Sequence, residues 1–259
     1  MSFIENMFSL NGRVAAVIGG GGVLAGAMAE GLAQAGANIA ILDLNPDNAQ
    51  DMADAIKKYG VKTIAVPVNA ASKTDLQEAC ARIKSELGTT SILINAAGLN
   101  SSTPYFDITE EEYDKIMAVN LKSMFLACQV FGKQMIDDSV DGSIINISSA
   151  SSGPPLSKVF TYSVSKAGVN NLTQWLAREW ATQGIRVNAI APGFFPAEQN
   201  RKILTEERVT DIMRHTPMNR FGEAEELVGA TVWLASEKAS SFVTGAIIRV
   251  DGGYTAMTI

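Results

Sequence analysis

Seven short apolar runs, separated by stretches of helical spacing, leave a chain of this kind few ways to bury itself. The runs cover 14–18, 38–42, 63–68, 91–94, 143–148, 185–190 and 246–250, and helical periodicity fills 24–35, 46–59, 73–87, 109 to about 135, 159–183 and 223–236. Several runs are continuously apolar rather than alternating, which marks strands buried on both faces. The expectation is an α/β, Rossmann-type doubly wound fold: a seven-stranded parallel sheet with helices on both faces. No repeat, low-complexity tract or linker-like composition interrupts the 259 residues, so one domain is expected over 1–259. The stretch 192–221 has no strand of its own and reads as an insertion over the carboxyl edge of the sheet, where such folds bind ligands.

Composition removes several function classes. With 47% hydrophobic and 19% charged residues the chain can bury a sizeable core, and a net charge of -6 supplies no global field toward nucleic acid or an anionic membrane. Neither partner is expected. Cys80 and Cys128 lack CxxC spacing and fall in helical segments, where a thiol serves as a small core side chain. A single histidine, His215, cannot build a histidine metal cage, and a Ser-His-Asp triad would have to recruit it; no metal is expected, and His215 reads as structural. Residues 1–13 carry Glu5 and lack the basic start and apolar run of a signal peptide, and no stretch reaches 18 apolar residues, so a cytoplasmic location is the expectation.

Two groups of residues carry chemistry. Gly19 to Gly22 follow the first run and open a helix, so their backbone can approach a pyrophosphate while the helix N-terminus faces the negative charge. A plain tight turn is the alternative. Asp43 ends the second run, 24 positions after Gly19, near the offset at which a carboxylate accepts from adenosine ribose hydroxyls and repels a 2′-phosphate. This favours NAD(H) over NADP(H); a solvated loop acid is the alternative. Tyr162 and Lys166 stand four apart on one helix and share a face, with Ser149 upstream. An ammonium beside a phenol favours the phenolate, so Lys166 is expected to lower the Tyr162 pKa. Tyr162 would then pass a proton to or from a substrate oxygen held by Ser149 as hydride moves between carbon and nicotinamide.

Over essentially its whole length the sequence resembles the short-chain dehydrogenase/reductase family. The resemblance rests on Asn95-Ala96-Ala97-Gly98, on Asn120 within Val119-Asn120-Leu121, and on Ile147-Ser148-Ser149 before Tyr162-Ser163-Val164-Ser165-Lys166. The stretch Arg186-Val187-Asn188-Ala189-Ile190-Ala191-Pro192-Gly193 and the closing Val250-Asp251-Gly252-Gly253 complete it. It implies that Ser149, Tyr162 and Lys166 are catalytic and that Asn120 supports a water relaying protons to Lys166. Ser149 is chosen over Ser148 because it lies 13 positions before Tyr162, the family's usual gap, leaving Ser148 to point away. The resemblance also implies dinucleotide contacts from Gly19, Gly22, Val23 and Leu24 at the phosphates and from Asn69 and Ala70 near the adenine. Asn95, Ala97 and Lys166 would lie at the ribose, and Pro192 and Phe195 at the nicotinamide end, with Phe194 and Phe195 as its cover. It implies a homotetramer, packed through the helices from Thr109 and Val159 across a two-fold axis. Two positions depart from the family pattern: Val23 and Ala25 stand where its later glycines fall, and Ala197 where a threonine often contacts the carboxamide.

Within the family, Gly19-Gly20-Gly21-Gly22-Val23-Leu24, Pro192-Gly193-Phe194-Phe195, Glu198-Gln199-Asn200-Arg201 and His215-Thr216-Pro217-Met218-Asn219-Arg220-Phe221-Gly222 resemble the branch of D-mannonate oxidoreductases, also called D-fructuronate reductases. A hexuronate is a polyol with a carboxylate, so its site wants a guanidinium and amides. Arg201, Gln199 and Asn200 are the nearest supply, unless they are ordinary solvated side chains. The expected activity is thus NAD(H)-dependent interconversion of a secondary alcohol and a ketone on a sugar acid such as D-mannonate. The alternatives are a gluconate 5-dehydrogenase-like or other polyol enzyme, a 3-oxoacyl carrier-protein reductase, or a non-catalytic dinucleotide sensor.

Overall fold

The computed structural model describes residues 2–196 and 205–257. In chain order the elements are α1 (Phe3–Phe8), β1 (Val14–Ile18), α2 (Val23–Gln34), β2 (Asn38–Asp43), α3 (Pro46–Ile56), β3 (Thr63–Pro67), α4 (Lys73–Glu86) and β4 (Ile92–Asn95). They continue with α5 (Glu110–Met117), α6 (Ser123–Asp137), β5 (Gly142–Ile147), α7 (Phe160–Trp180), β6 (Ile185–Pro192) and β7 (Ile247–Val250). Between β6 and β7 lie the helices Glu206–Arg214, Val228–Ala235 and Glu237–Ser240.

The strands form one seven-stranded sheet in the order β3-β2-β1-β4-β5-β6-β7, and every pairing is parallel. This is the doubly wound sheet the apolar runs call for. Its alternating side chains feed two cores: Ala15 and Val17 of β1 pack with α2, α3 and the helix Val228–Ala235, while Val14, Ala16 and Ile18 pack with α4, α6 and α7. The strand order reverses between β1 and β4, and the crevice beyond their carboxyl ends is the switch point at which such sheets take ligands.

Three local features differ from the periodicity. The helical stretch expected from Thr109 is α5 and α6 joined through a π-helical turn, Ala118–Lys122. A π turn adds a residue without breaking the run of helical residues, so composition does not reveal it. The insertion over the carboxyl edge contains the helix Glu206–Arg214, capped by Thr205 through its side chain to the Arg208 N–H. At the other end, α1 begins with a capping box between Ser2 and Glu5, and Ser236 Oγ donates to Met7 O at 2.6 Å, tying this helix to the body.

The turn after β1 depends on missing side chains. Gly19 has φ +75°, and a Cβ there would lie 2.9 Å from the Ala97 nitrogen. Gly19 and Gly20 both donate to Leu42 O, at 2.7 and 3.1 Å, so the turn is laid across the end of β2. Gly19→Ala is therefore expected to lower folding stability by about 2 kcal/mol or more, from left-handed backbone plus contact with Ala97. Urea unfolding of the ligand-free protein measures it; an unchanged midpoint would refute this account of the turn.

Candidate active site

The carboxyl ends of β5 and β6 and the first turns of α7 bring four serines, a tyrosine and a lysine together. Ser148 N donates to Ile190 O at 2.7 Å, continuing the β5–β6 ladder, and Ser148 Oγ donates to Asn170 Oδ1 at 2.6 Å. Ser149 leaves the strand in an extended conformation and caps a short turn, Ala150–Ser152. Its Oγ accepts from both the N–H and the hydroxyl of Ser151, each at 3.1 Å. Ser152 Oγ donates to Ser149 O at 2.6 Å and accepts from Asn170 Nδ2 at 2.8 Å. Since Tyr162, Lys166 and Asn170 follow at intervals of four on α7, one helical face carries all three. Asn170 thus pins the serine loop to the face that bears Tyr162 and Lys166.

Lys166 is buried, and its Nζ donates to Ile147 O at 2.7 Å while lying 5.6 Å from the centre of the Tyr162 ring. Burial lowers its ammonium to about 8. Burial also pushes the Tyr162 phenol above its ordinary value, and the hydrogen bond from Ser149 draws it part of the way back. The expected lowering of the phenol by Lys166 is therefore not what the protein alone provides. Desolvation dominates at both groups, and the Lys166 ammonium is directed at a carbonyl.

Asn120 sits fully buried in the π turn. Its Oδ1 accepts from Leu99 N at 2.7 Å, and its Nδ2 donates to Leu99 O at 2.9 Å and to Ser165 Oγ at 3.0 Å. Ser165 Oγ in turn donates to Tyr162 O at 2.7 Å. Asn120 and Lys166 face a common space over Gly98, where an added Cβ would meet Asn120 Oδ1 and Lys166 Nζ at 3.7 Å each. Sequence reasoning missed Ser151 and Asn170; the spacing of four that links Tyr162 to Lys166 reaches Asn170 if carried one step further.

On the other side of the switch point the chain offers a cradle for a dinucleotide. Gly22 caps α2 without a side-chain hydrogen bond, so Val23 and Leu24 begin the helix with their N–H groups directed beyond its end. A Cβ on Gly21 would lie 2.6 Å from Asn48 Cβ and 3.0 Å from Asp43 Oδ2, so the turn closes only around glycine. Asp43 Oδ2 accepts from Gly21 N and Oδ1 from Asn45 N, both at 3.0 Å, which fixes the carboxylate beside the turn. Asn69 and Ala70 follow β3 next to it, and Val68 N donates to Asp43 O at 2.8 Å. Asn69 Oδ1 accepts from Ala71 N at 3.0 Å and shapes its own loop. A helix N-terminus, a glycine turn and a fixed carboxylate fit a nicotinamide dinucleotide.

Other expected residues are placed differently. The side chain of Asn95 is buried, and its Nδ2 donates to Asn146 Oδ1 at 2.8 Å. Phe194 meets the edge of Tyr254, with ring centres 5.2 Å apart, and Phe195 fills the space beside Gly222 against the core. Both rings are engaged by neighbouring loops, beside the end of β6 at Pro192, rather than standing free as a cover. His215 Nδ1 lies 3.0 Å from Asp211 O and its ring is tilted against Tyr254. The thiols of Cys80 and Cys128 are buried, and burial pushes them up to about 11 and about 12, which leaves them inert. Ala197, Gln199, Asn200 and Arg201 lie outside the described residues.

Within the described part of the insertion, Arg208 is half-buried, and its Nη1 donates to Ser157 Oγ at 3.0 Å, on the loop leading into Tyr162. It enters none of the ion pairs among the described residues; burial holds the Tyr254 phenol above its ordinary value, and the charge of Arg208 pulls weakly against that rise. A cavity of about 500 Å³ opens on Ser149, Ser152, Gly153, Asn170, Arg249 and Thr255. No described helix is long and apolar enough to cross a membrane, and no cluster of described residues could hold a metal ion.

A family model described as enoyl-(acyl carrier protein) reductase matches residues 22–255. An oxidoreductase of Haemophilus influenzae is 39% identical over 99% of each chain. Among solved structures, a Haemophilus influenzae protein assigned as a D-mannonate oxidoreductase, with bound NAD, is 37% identical with a TM-score of 0.92, covering 98% of this chain and 99% of that one. A gluconate 5-dehydrogenase from Burkholderia cenocepacia, in complex with NADP and tartrate, is 32% identical with a TM-score of 0.93, covering 98% of this chain and all of the other. The chain belongs to the short-chain dehydrogenase/reductase family, among its sugar-acid and polyol oxidoreductases, which act on alcohol and ketone groups.

Proposed function

We propose that this protein interconverts a secondary alcohol and a ketone on a sugar acid such as D-mannonate, with NAD(H), using Ser149, Tyr162, Lys166 and Asn120. The observation that carries the reading is the buried Lys166, its Nζ 5.6 Å from the centre of the Tyr162 ring, beside the turn that Ser149 caps. Nicotinamide dinucleotide, when bound, supplies or takes up the hydride. Tyr162 Oη gives its proton to the ketone oxygen in reduction and takes it back in oxidation. Ser149 donates a hydrogen bond to that oxygen and stabilises the charge that develops on it. Lys166 at neutral pH keeps a positive charge near the phenol, favouring the phenolate left after proton transfer. Asn120 holds the Leu99 segment and, through Ser165, the carbonyl of Tyr162, and so keeps the proton path in register. Removing the phenolic proton donor is worth about 100-fold or more: Tyr162→Phe should lose turnover by at least that factor while dinucleotide quenching of tryptophan fluorescence persists. Unchanged turnover would sink the mechanism.

The choice of NAD(H) rests on Asp43, whose carboxylate is held beside the glycine turn by Gly21 and Asn45. A 2′-phosphate brought there meets like charge. Asp43→Ser should raise the ratio of kcat/KM for NADPH over NADH by about 10-fold or more, since a close like-charge contact is worth over a kcal/mol. A wild-type preference for NADPH would overturn the assignment.

The substrate class is supported by Arg208. A half-buried guanidinium with one hydroxyl partner and no carboxylate partner among the described residues has donors for an anion, and it stands on the segment between β6 and β7. NADH oxidation with D-fructuronate, 5-keto-gluconate, a neutral ketose and an acetoacetyl thioester tests this directly. Turnover confined to the keto acids is expected, and Arg208→Ala should raise KM for them by about 10- to 100-fold, the worth of a charged hydrogen bond, with little change for the neutral ketose. Preference for the thioester would replace the sugar-acid reading.

A further inference from the structure

The hydroxyl of Ser149 has two acceptor positions and one proton. Both acceptor positions are taken by a single residue, since the Ser151 N–H and the Ser151 hydroxyl each donate to Ser149 Oγ at 3.1 Å. Ser151 is 1% exposed and lies behind Ser149, which is 7% exposed, so the donor side of these bonds is shielded from water. With its acceptor capacity spent, Ser149 can engage a further group only by giving its own proton, and Tyr162 is the titrating side chain it acts on. The turn is itself fixed from behind, because Ser152 bonds Ser149 O and is held by Asn170 of α7.

Without the Ser151 hydroxyl the polarity of this contact is no longer determined. Ser149 Oγ would have an open acceptor position, and the Tyr162 hydroxyl could donate into it. The phenol would then keep its proton, and the reacting oxygen would lose a donor aimed at it. We propose that Ser151 is a positioning residue that fixes the Ser149 hydroxyl as a hydrogen-bond donor, to Tyr162 in the free protein and to the reacting oxygen once substrate is bound. The assignment of Ser149 and Tyr162 as the reacting pair is the reading given above, on which this inference rests.

The sign of the effect follows. A donor to the phenolate lowers the phenol's pKa, so loosening that donor raises it. Ultraviolet difference titration of tyrosinate in the ligand-free protein, with Tyr162→Phe subtracted, reads this without any substrate. Tyr162 should ionise at higher pH in Ser151→Ala than in the wild type. Ser151→Cys, which keeps the shape and a weak donor, should fall between them.

In turnover, kcat for ketone reduction at pH 7 should fall about three- to tenfold in Ser151→Ala, the range for one neutral hydrogen bond. The acid limb of alcohol oxidation should move to higher pH, with NADH affinity unchanged. A Tyr162 titration that does not move in either variant overturns the proposal, as does a loss of kcat equal at every pH. Should the wild type reduce none of the ketones tested, the catalytic reading fails, while the tyrosinate titration still decides the polarity of the serine pair. If Ser151→Ala fails to bind NADH, Ser151→Cys decides.

Discussion

Asn146 lies at the centre of the sheet with both ends of its amide engaged. It accepts from Asn95 of β4 at 2.8 Å and donates to Thr173 of α7 at 2.9 Å, and Thr173 bonds back to Val169 O. Each of these side chains is buried, so each pays for its desolvation only while the others stay in place. The bridge joins two adjacent parallel strands, paired in register at Asn95 and Asn146, to the helix that carries Tyr162 and Lys166. Ser149 is three residues beyond Asn146 on the same chain, so one polar contact inside the sheet sets the height of the serine loop and of α7. An unsatisfied amide in this position would cost about 1–3 kcal/mol.

The site built on that base is held under electrostatic tension. Lys166 is a buried amine held near 8 and Tyr162 a buried phenol held above its ordinary range. For the lysine the folded value lies below the ordinary value of 10.5. The unfolded chain therefore binds more protons between those two values, and folding is disfavoured below about 8 and relieved as pH rises through that window. Burial that costs stability at neutral pH is found where chemistry needs it. Only a frame fastened elsewhere, by Asn146 and by the two apolar cores, can keep such a pair in place.

The sequence disclosed the parts of this arrangement that follow from period and spacing. Seven apolar runs yielded the seven strands within one or two residues, because a strand buried on both faces has to be apolar throughout. The spacing of Tyr162 and Lys166 placed them on one face, and the glycine run announced the turn after β1. What stayed hidden depends on contacts between distant segments. Asn95 was expected at the ribose, yet its amide is drawn inward by Asn146, a residue 51 positions away. The π turn that buries Asn120 leaves the helical pattern intact on either side. Burial, not the neighbouring charge, decides the direction of the Tyr162 phenol, and burial at a single atom is not written in a motif. The role of Ser151 escaped for the same reason, since it is a matter of which lone pairs remain.

The contacts of the helix Glu206–Arg214 and the loops around it with the frame include the Arg208 bond to Ser157, the Phe194 contact with Tyr254 and the bond from Met218 N to Gly252 O. None of these bonds passes through Asn146, Asn120 or the serine turn. On the proposed function, the groups assigned to proton transfer are thus held apart from the segment assigned to substrate choice. Exchanging residues in the segment between β6 and β7 can retune which polyol is accepted without disturbing the strands that hold the chemistry. One scaffold can in this way serve as a chassis for many sugar-derived substrates, with selectivity acquired piecemeal at its rim.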